Sequence, residues 1–184
     1  MPSWTSRVPR RVSFDDPPAL HQIAAHHALL EEAILLYYSA ENPRFAELFV
    51  FDTANEVRAK RDATLHEARA ASAMTLLASI EASFRVDYLQ RNYAKKRDDL
   101  SRAFRALYKQ KQQRVSLTDD ILQRWREHSD ATPTLVGNIR SAFRYRDWLA
   151  HGRYWVAKLG RQYDFETLYD LGRDVETAFP FLRS

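Results

Sequence analysis

The amino-acid sequence predicts an all-α protein organised around one long central helix, and three observations lead there. Apolar residues recur at intervals of three and four in successive segments, the spacing that gathers them on one face of a helix. The stretch from Asn55 to Tyr93 contains neither glycine nor proline, so nothing in it interrupts such a helix. Prolines and capping residues, such as Pro43, Ser116 and Pro133, fall at the ends of the periodic segments and not inside them.

Residues 1–18 include Pro2, Pro9, Pro17 and Pro18 without sustained periodicity, which predicts an extended or disordered N-terminal arm ahead of a single helical domain over residues 19–184. The first helix is expected over residues 19–40, where Leu20, Ile23, His27, Leu30 and Ile34 share a face, and Asn42-Pro43 ends it. The apolar run Phe45 to Phe51 is too short for periodicity to assign. From Asn55 to Tyr93 the stripe Leu65, Ala68, Ser72, Leu76, Ile80 and Phe84 marks the central helix.

A third helix is expected over residues 98–113, with Leu100, Phe104, Leu107 and Tyr108 apolar and a dense Lys/Arg face. A fourth should begin at Ser116, where Asp119 three residues on resembles a capping pair. A fifth should start near Pro133 and stop at Gly152, and a last helix should cover residues 166–178. Between them, Arg153 to Tyr163 reads as a loop or brief hairpin.

With 184 residues, 45% hydrophobic and 28% charged, the chain can bury a core without covalent staples. No apolar run approaches the roughly 20 residues that span a bilayer, and the N-terminus lacks the apolar run of a secretory signal. A soluble protein without a membrane partner is therefore expected. The absence of cysteine excludes disulfides, thiolate nucleophiles and thiolate metal sites, and makes the cytoplasm the expected compartment.

The formal charge is +4, but it is segregated. Residues 85–127 carry 12 Lys/Arg against 6 Asp/Glu, and residues 140–161 carry 6 against 1. Such fields suit a polyanionic partner, although solvated helix faces produce the same pattern.

Most catalytic motifs can be eliminated. The four glycines are too scattered for a phosphate-cradling loop, and there is no Gly-x-Ser-x-Gly elbow. His21, His26, His27, His66 and His128 lack metal-site spacing and read as surface or packed residues. What remains is the segment from Phe143 to Trp155. In the fifth helix Leu135, Ile139, Ala142 and Leu149 form a stripe into which Arg146 falls, and a cation there needs a partner. Glu81, beside the apolar stripe of the central helix, is the expected one.

Asp147 stands four residues before His151, the separation at which a carboxylate can orient an imidazole on a helix. An imidazole can exchange a proton near neutral pH, whereas a guanidinium stays charged and grips phosphate in a fork. Five residues amount to about 140° of helix rotation, so Arg146 and His151 do not naturally share a face. Either the helix ends before His151 and the side chain folds back, or a second copy of the chain completes the site. The same residues also suit a merely structural helix end, with Trp148 and Trp155 packed inward.

The run Arg146-Asp147-Trp148-Leu149-Ala150-His151 resembles the R-x4-6-H motif of the HEPN superfamily, as do its place late in an all-helical chain and the acidic Glu81 on an earlier helix. The resemblance implies a HEPN-like helical bundle that forms a homodimer with a composite site, and a metal-independent endoribonuclease without a cofactor. In it Arg146 and His151 would be catalytic, with Asp147 and Glu81 in support. Arg144, Arg153, Tyr154 and Trp155 would bind RNA. A role as a toxin or anti-phage defence effector follows, with an antitoxin or other inhibitor protein as partner. Toxins paired with a nucleotidyltransferase often carry tyrosine two residues after the histidine, whereas Arg153 stands there and tyrosine follows at Tyr154. The alternative is a non-catalytic module of the same fold that binds RNA, nucleotide or protein.

Overall fold

The computed structural model describes residues 17–153, 160 and 163–182. Among these the regular structure is entirely helical. Residues 1–16, most of the expected arm, lie outside the described set, whereas Pro18 accepts a hydrogen bond from the Ser79 hydroxyl at 2.8 Å.

Helix α1 (Leu20–Tyr37) is shorter than its periodicity suggests. Asn42 explains the early stop: its side-chain amide donates to the Tyr37 carbonyl at 2.8 Å and so satisfies one of the carbonyls that a helix end leaves open. The unassigned run contains a single turn, α2 (Phe45–Leu48), and Phe49 stacks on Tyr38 beside it. Thr53 then starts α3 (Ala54–Tyr93) with a capping box, accepting from the Glu56 amide while the Glu56 carboxylate accepts from the Thr53 amide at 2.7 Å. This helix runs 40 residues and packs against α1 and against α4 (Asp99–Lys111), α6 (Pro133–Ala150) and α7 (Phe165–Ala178).

The segment after Ser116 departs from a simple helix. Ser116 does cap it, accepting from the Asp119 amide at 3.1 Å, but the first turn, Leu117–Ile121, is a π-helix before α5 (Leu122–His128). The Asp120 carboxylate holds this wider turn by accepting from the Ser116 amide and from Lys111. Both Leu117 and Ile121 are thereby buried.

One cluster of buried apolar residues joins the helices. Its centre is aromatic: Phe84 meets Phe179 and Phe181 edge-on, and the buried Trp125 meets the same two rings. The polar pair Asp87 and Arg91 lies beside this cluster. Asp87, fully buried, accepts from Arg91 and from the Leu182 amide, while Arg91 also donates to the Pro180 carbonyl and lies over the Trp125 ring. The pair thus fastens the segment after α7 to α3.

On α6 the expected stripe needs correction. Val136, Ile139, Ala142 and Phe143 are buried, but Leu135 and Leu149 only partly so. Phe143 turns the buried face away from Leu149, and Arg146, one turn further on, stands at its margin instead of within it.

Candidate functional site

Thr132 and Pro133 define the beginning of α6, the threonine hydroxyl accepting from the Leu135 amide. Its far end is a Schellman motif, with the Gly152 amide donating to the Leu149 carbonyl and the Arg153 amide donating to the Trp148 carbonyl. Gly152 takes φ +82°, a conformation that suits glycine, and Arg153 follows at φ +56°. The helix therefore stops two residues earlier than Gly152, and His151 is its C-cap residue, exposed and outside the helical repeat.

Arg146 is about one quarter exposed and forms an ion pair with Glu81, whose side chain is 14% exposed. Glu81 also accepts from Arg85 at 2.6 Å, so its carboxylate is bracketed by two guanidinium groups from different helices. The Arg146 guanidinium approaches the Phe143 ring and donates to the Asp147 carboxylate at 2.9 Å. Arg85 reaches further, to the Val115 carbonyl, and its burial pushes its pKa down. Two carboxylates and two guanidiniums thus form a neutral cluster, with Asp147 at its exposed edge.

This arrangement brings together only some of the expected residues. Glu81, Arg146 and Asp147 meet. The Asp147 carboxylate, expected to orient the histidine, is engaged by the Arg146 guanidinium. Arg144 is exposed without an ion-pair partner among the described residues. Arg153 is turned toward α3 and grips Glu67 through both terminal nitrogens, at 3.0 and 2.6 Å. That guanidinium holds the Glu67 carboxyl below its usual range. Tyr154 and Trp155 lie outside the described residues.

A cleft of about 490 Å³ opens beside the end of α6, which sequence reasoning did not find. Tyr145, Trp148 and Arg153 form one wall, His66 and Arg69 come from α3, and Tyr163 from the approach to α7. Tyr145 stacks between Trp148 and Tyr163, at ring separations of 5.9 and 5.1 Å, and its burial raises its pKa. His27, read from the sequence as a surface or packed residue, is buried in the floor and stacked on Phe165 at 3.8 Å. Its Nδ1 has no hydrogen-bond partner among the described residues, and Nε2 lies 3.8 Å from Glu31. The only sequence signal for this cleft is the aromatic density of residues 143–155, because its remaining walls come from distant parts of the chain.

Among the described residues no group of three His, Asp or Glu side chains is arranged to hold a metal ion, and no helix is long and apolar enough to cross a membrane. No protein-family model matches the chain, and neither a curated protein nor a solved structure gives a significant match.

Proposed function

We propose that the protein is a metal-independent endoribonuclease of HEPN type, acting as a toxin or a defence effector against phage in the cytoplasm, and restrained by an antitoxin or other inhibitor protein. The observation that carries this reading is the end of α6. There a guanidinium is held by a carboxylate from α3, and five residues on an exposed histidine occupies the C-cap position.

His151 removes the proton of a ribose 2′-hydroxyl or delivers one to the leaving 5′-oxygen. The 2′-oxygen attacks the adjacent phosphorus, the bond to the 5′-oxygen breaks, and the products carry a 2′,3′-cyclic phosphate and a 5′-hydroxyl. Arg146 stabilises the charge that builds on the phosphorane oxygens. Its Glu81 contact sets the direction of the fork, and Asp147 is the exposed partner that an incoming phosphate displaces. A second copy of the chain brings a second Arg146 and His151 to the same site, which supplies an acid and a base at once.

Purified protein incubated with single-stranded RNA and EDTA is expected to cut it, leaving 2′,3′-cyclic phosphate ends. His151→Ala and Arg146→Ala should each lower the rate about 100-fold or more. Cleavage that disappears with EDTA, or survives in both variants, overturns the reading.

A second reading, a non-catalytic RNA-, nucleotide- or protein-binding module of the same fold, is favoured by the neutrality of the Arg146 cluster. Both carboxylates already engage the guanidinium that catalysis needs. Its signature in the same assay is binding without cleavage, equal in all three proteins.

A further inference from the structure

The end of α3 remote from the motif carries a different surface. Tyr93 closes α3, Asp98 caps α4, and a shallow groove of about 500 Å³ lies between them, walled by Asn92, Tyr93, Lys95, Arg97, Tyr108 and Lys109. The positive charge expected over residues 85–127 is concentrated here. The acidic groups of this end are already committed: Asp98 pairs with Arg91, Asp99 with Arg102, and Asp120 with Lys111. Lys95, Lys96, Arg97, Lys109 and Arg114 are exposed and have no ion-pair partner among the described residues. Arg105 donates to the Lys96 carbonyl, which braces the basic loop against α4 without neutralising it.

Two further features distinguish this groove from a solvated helix face. Tyr93 and Tyr108 are half-buried and both line it, giving the groove an aromatic wall. Asn92 is 8% exposed, donates to the Tyr88 carbonyl, and keeps its Oδ1 without a hydrogen-bond partner among the described residues. A buried acceptor in that state is costly unless a donor arrives from elsewhere.

We propose that this groove binds single-stranded RNA, its phosphates on Lys95, Arg97 and Lys109 and a base against Tyr108, with a sugar or base donor serving Asn92. Cations supply affinity for any strand, and an aromatic face accepts any base, so binding here is strong and weakly sequence-selective. The groove lies about 18 Å along α3 from Glu81, at 1.5 Å per residue, and so extends the surface offered to a strand beyond the motif. Nothing in this proposal requires that the strand be cut.

The test uses the full chain and a labelled oligouridylate whose 2′-hydroxyls are methylated, which cannot be cleaved by internal attack. Anisotropy is followed from about 50 to 200 mM salt, the range over which phosphate binding shows its dependence. The triple variant K95Q/R97Q/K109Q, substituted only at exposed positions, should bind about tenfold or more weakly. Its slope of log K against log salt should be shallower by about 2, since each phosphate neutralised on a single strand contributes about 0.7. Tyr108→Leu should weaken binding at least fivefold, the lower end of what one base–aromatic stack supplies. The variant R44Q/R58Q/R173Q removes equal charge from exposed sites elsewhere and should bind like the unaltered protein. Equal loss in both triple variants, no loss in either, or adsorption to phosphatidylserine vesicles without oligonucleotide binding would overturn the proposal. Cleavage is read separately on unmodified RNA, so binding through the groove without cutting would sink the ribonuclease reading and leave this one standing.

Discussion

At the scale of single residues the protein uses its buried charges in two different ways. Glu81 and Arg146 meet at the margin of the core, where water still reaches both partners, so the pair orients a guanidinium without trapping it. Asp87 and Arg91 are sealed, and burial raises the Asp87 pKa against the opposing pull of the Leu182 amide and Arg91. Arg91→Ala would strand that carboxylate and is expected to cost about 3–5 kcal/mol in urea denaturation; a loss below about 1 kcal/mol would show the pair to be incidental. The acid response follows from the same groups. For Asp98, burial raises the pKa, but the Ser101 amide and hydroxyl and Arg91 outweigh it; for Asp120, burial is outweighed by Lys111 and the Ser116 amide. Both folded-state values lie below the unfolded ones, so the stability they contribute is present above the ordinary carboxylate range and is lost as pH falls through the folded values. Asp87 has the opposite sign, its cost growing as pH rises through its elevated value and easing in acid. Asp98→Asn, which can still cap α4, should flatten the acid limb of melting temperature against pH below about pH 5.

At the scale of elements the decisive structure is the end of α6. The Schellman motif uses the Leu149 and Trp148 carbonyls and sets His151 at the point where the chain leaves the helix. Gly152 makes this possible through its positive φ, and a Cβ there would find open space but a strained backbone. Gly152→Ala should therefore destabilise the protein by about 1–2 kcal/mol, measured by thermal denaturation, with no change expected in its fold by circular dichroism. Under the ribonuclease reading it should also depress cleavage, because the exit angle of His151 changes. The π-turn ahead of α5 is a comparable device, trading regular hydrogen bonding for the simultaneous burial of Leu117 and Ile121.

At the scale of the whole molecule the proposed function raises the question of which Arg146 works with which His151. The helix places one inside its repeat and the other just beyond it, so the helical offset does not by itself keep them apart, and the proposed site lies either within one chain or across two copies. Mixing Arg146→Ala with His151→Ala separates these cases. If each site pairs the arginine of one copy with the histidine of the other, mixed dimers hold one intact site, and about one quarter of the unaltered activity should return from two inactive proteins when copies exchange freely. A site within one chain, or a single composite site that needs both histidines, predicts no recovery, provided that exchange is verified by native mass spectrometry with tagged copies.

Helical periodicity, the proline positions and the Ser116 cap made the all-helical character legible, because each depends on neighbours within one or two turns. The pairing of Glu81 with Arg146 was legible for a related reason: a cation beside an apolar stripe requires a nearby carboxylate, and the long helix offered one. The exit of His151 from α6, the engagement of Asp147 and Arg153, the buried Asp87 and Arg91, and the aromatic cleft were not. Phe143 moved the buried face, Glu67 took Arg153, and Asp87 found its partners at Leu182, outcomes set by which distant surfaces come together. The sequence by itself therefore determined the helices and the chemical repertoire of residues 143–155. Only the tertiary structure decided which of those groups are held, exposed or neutralised, since charge pairing and burial depend on contacts between segments that local periodicity does not encode.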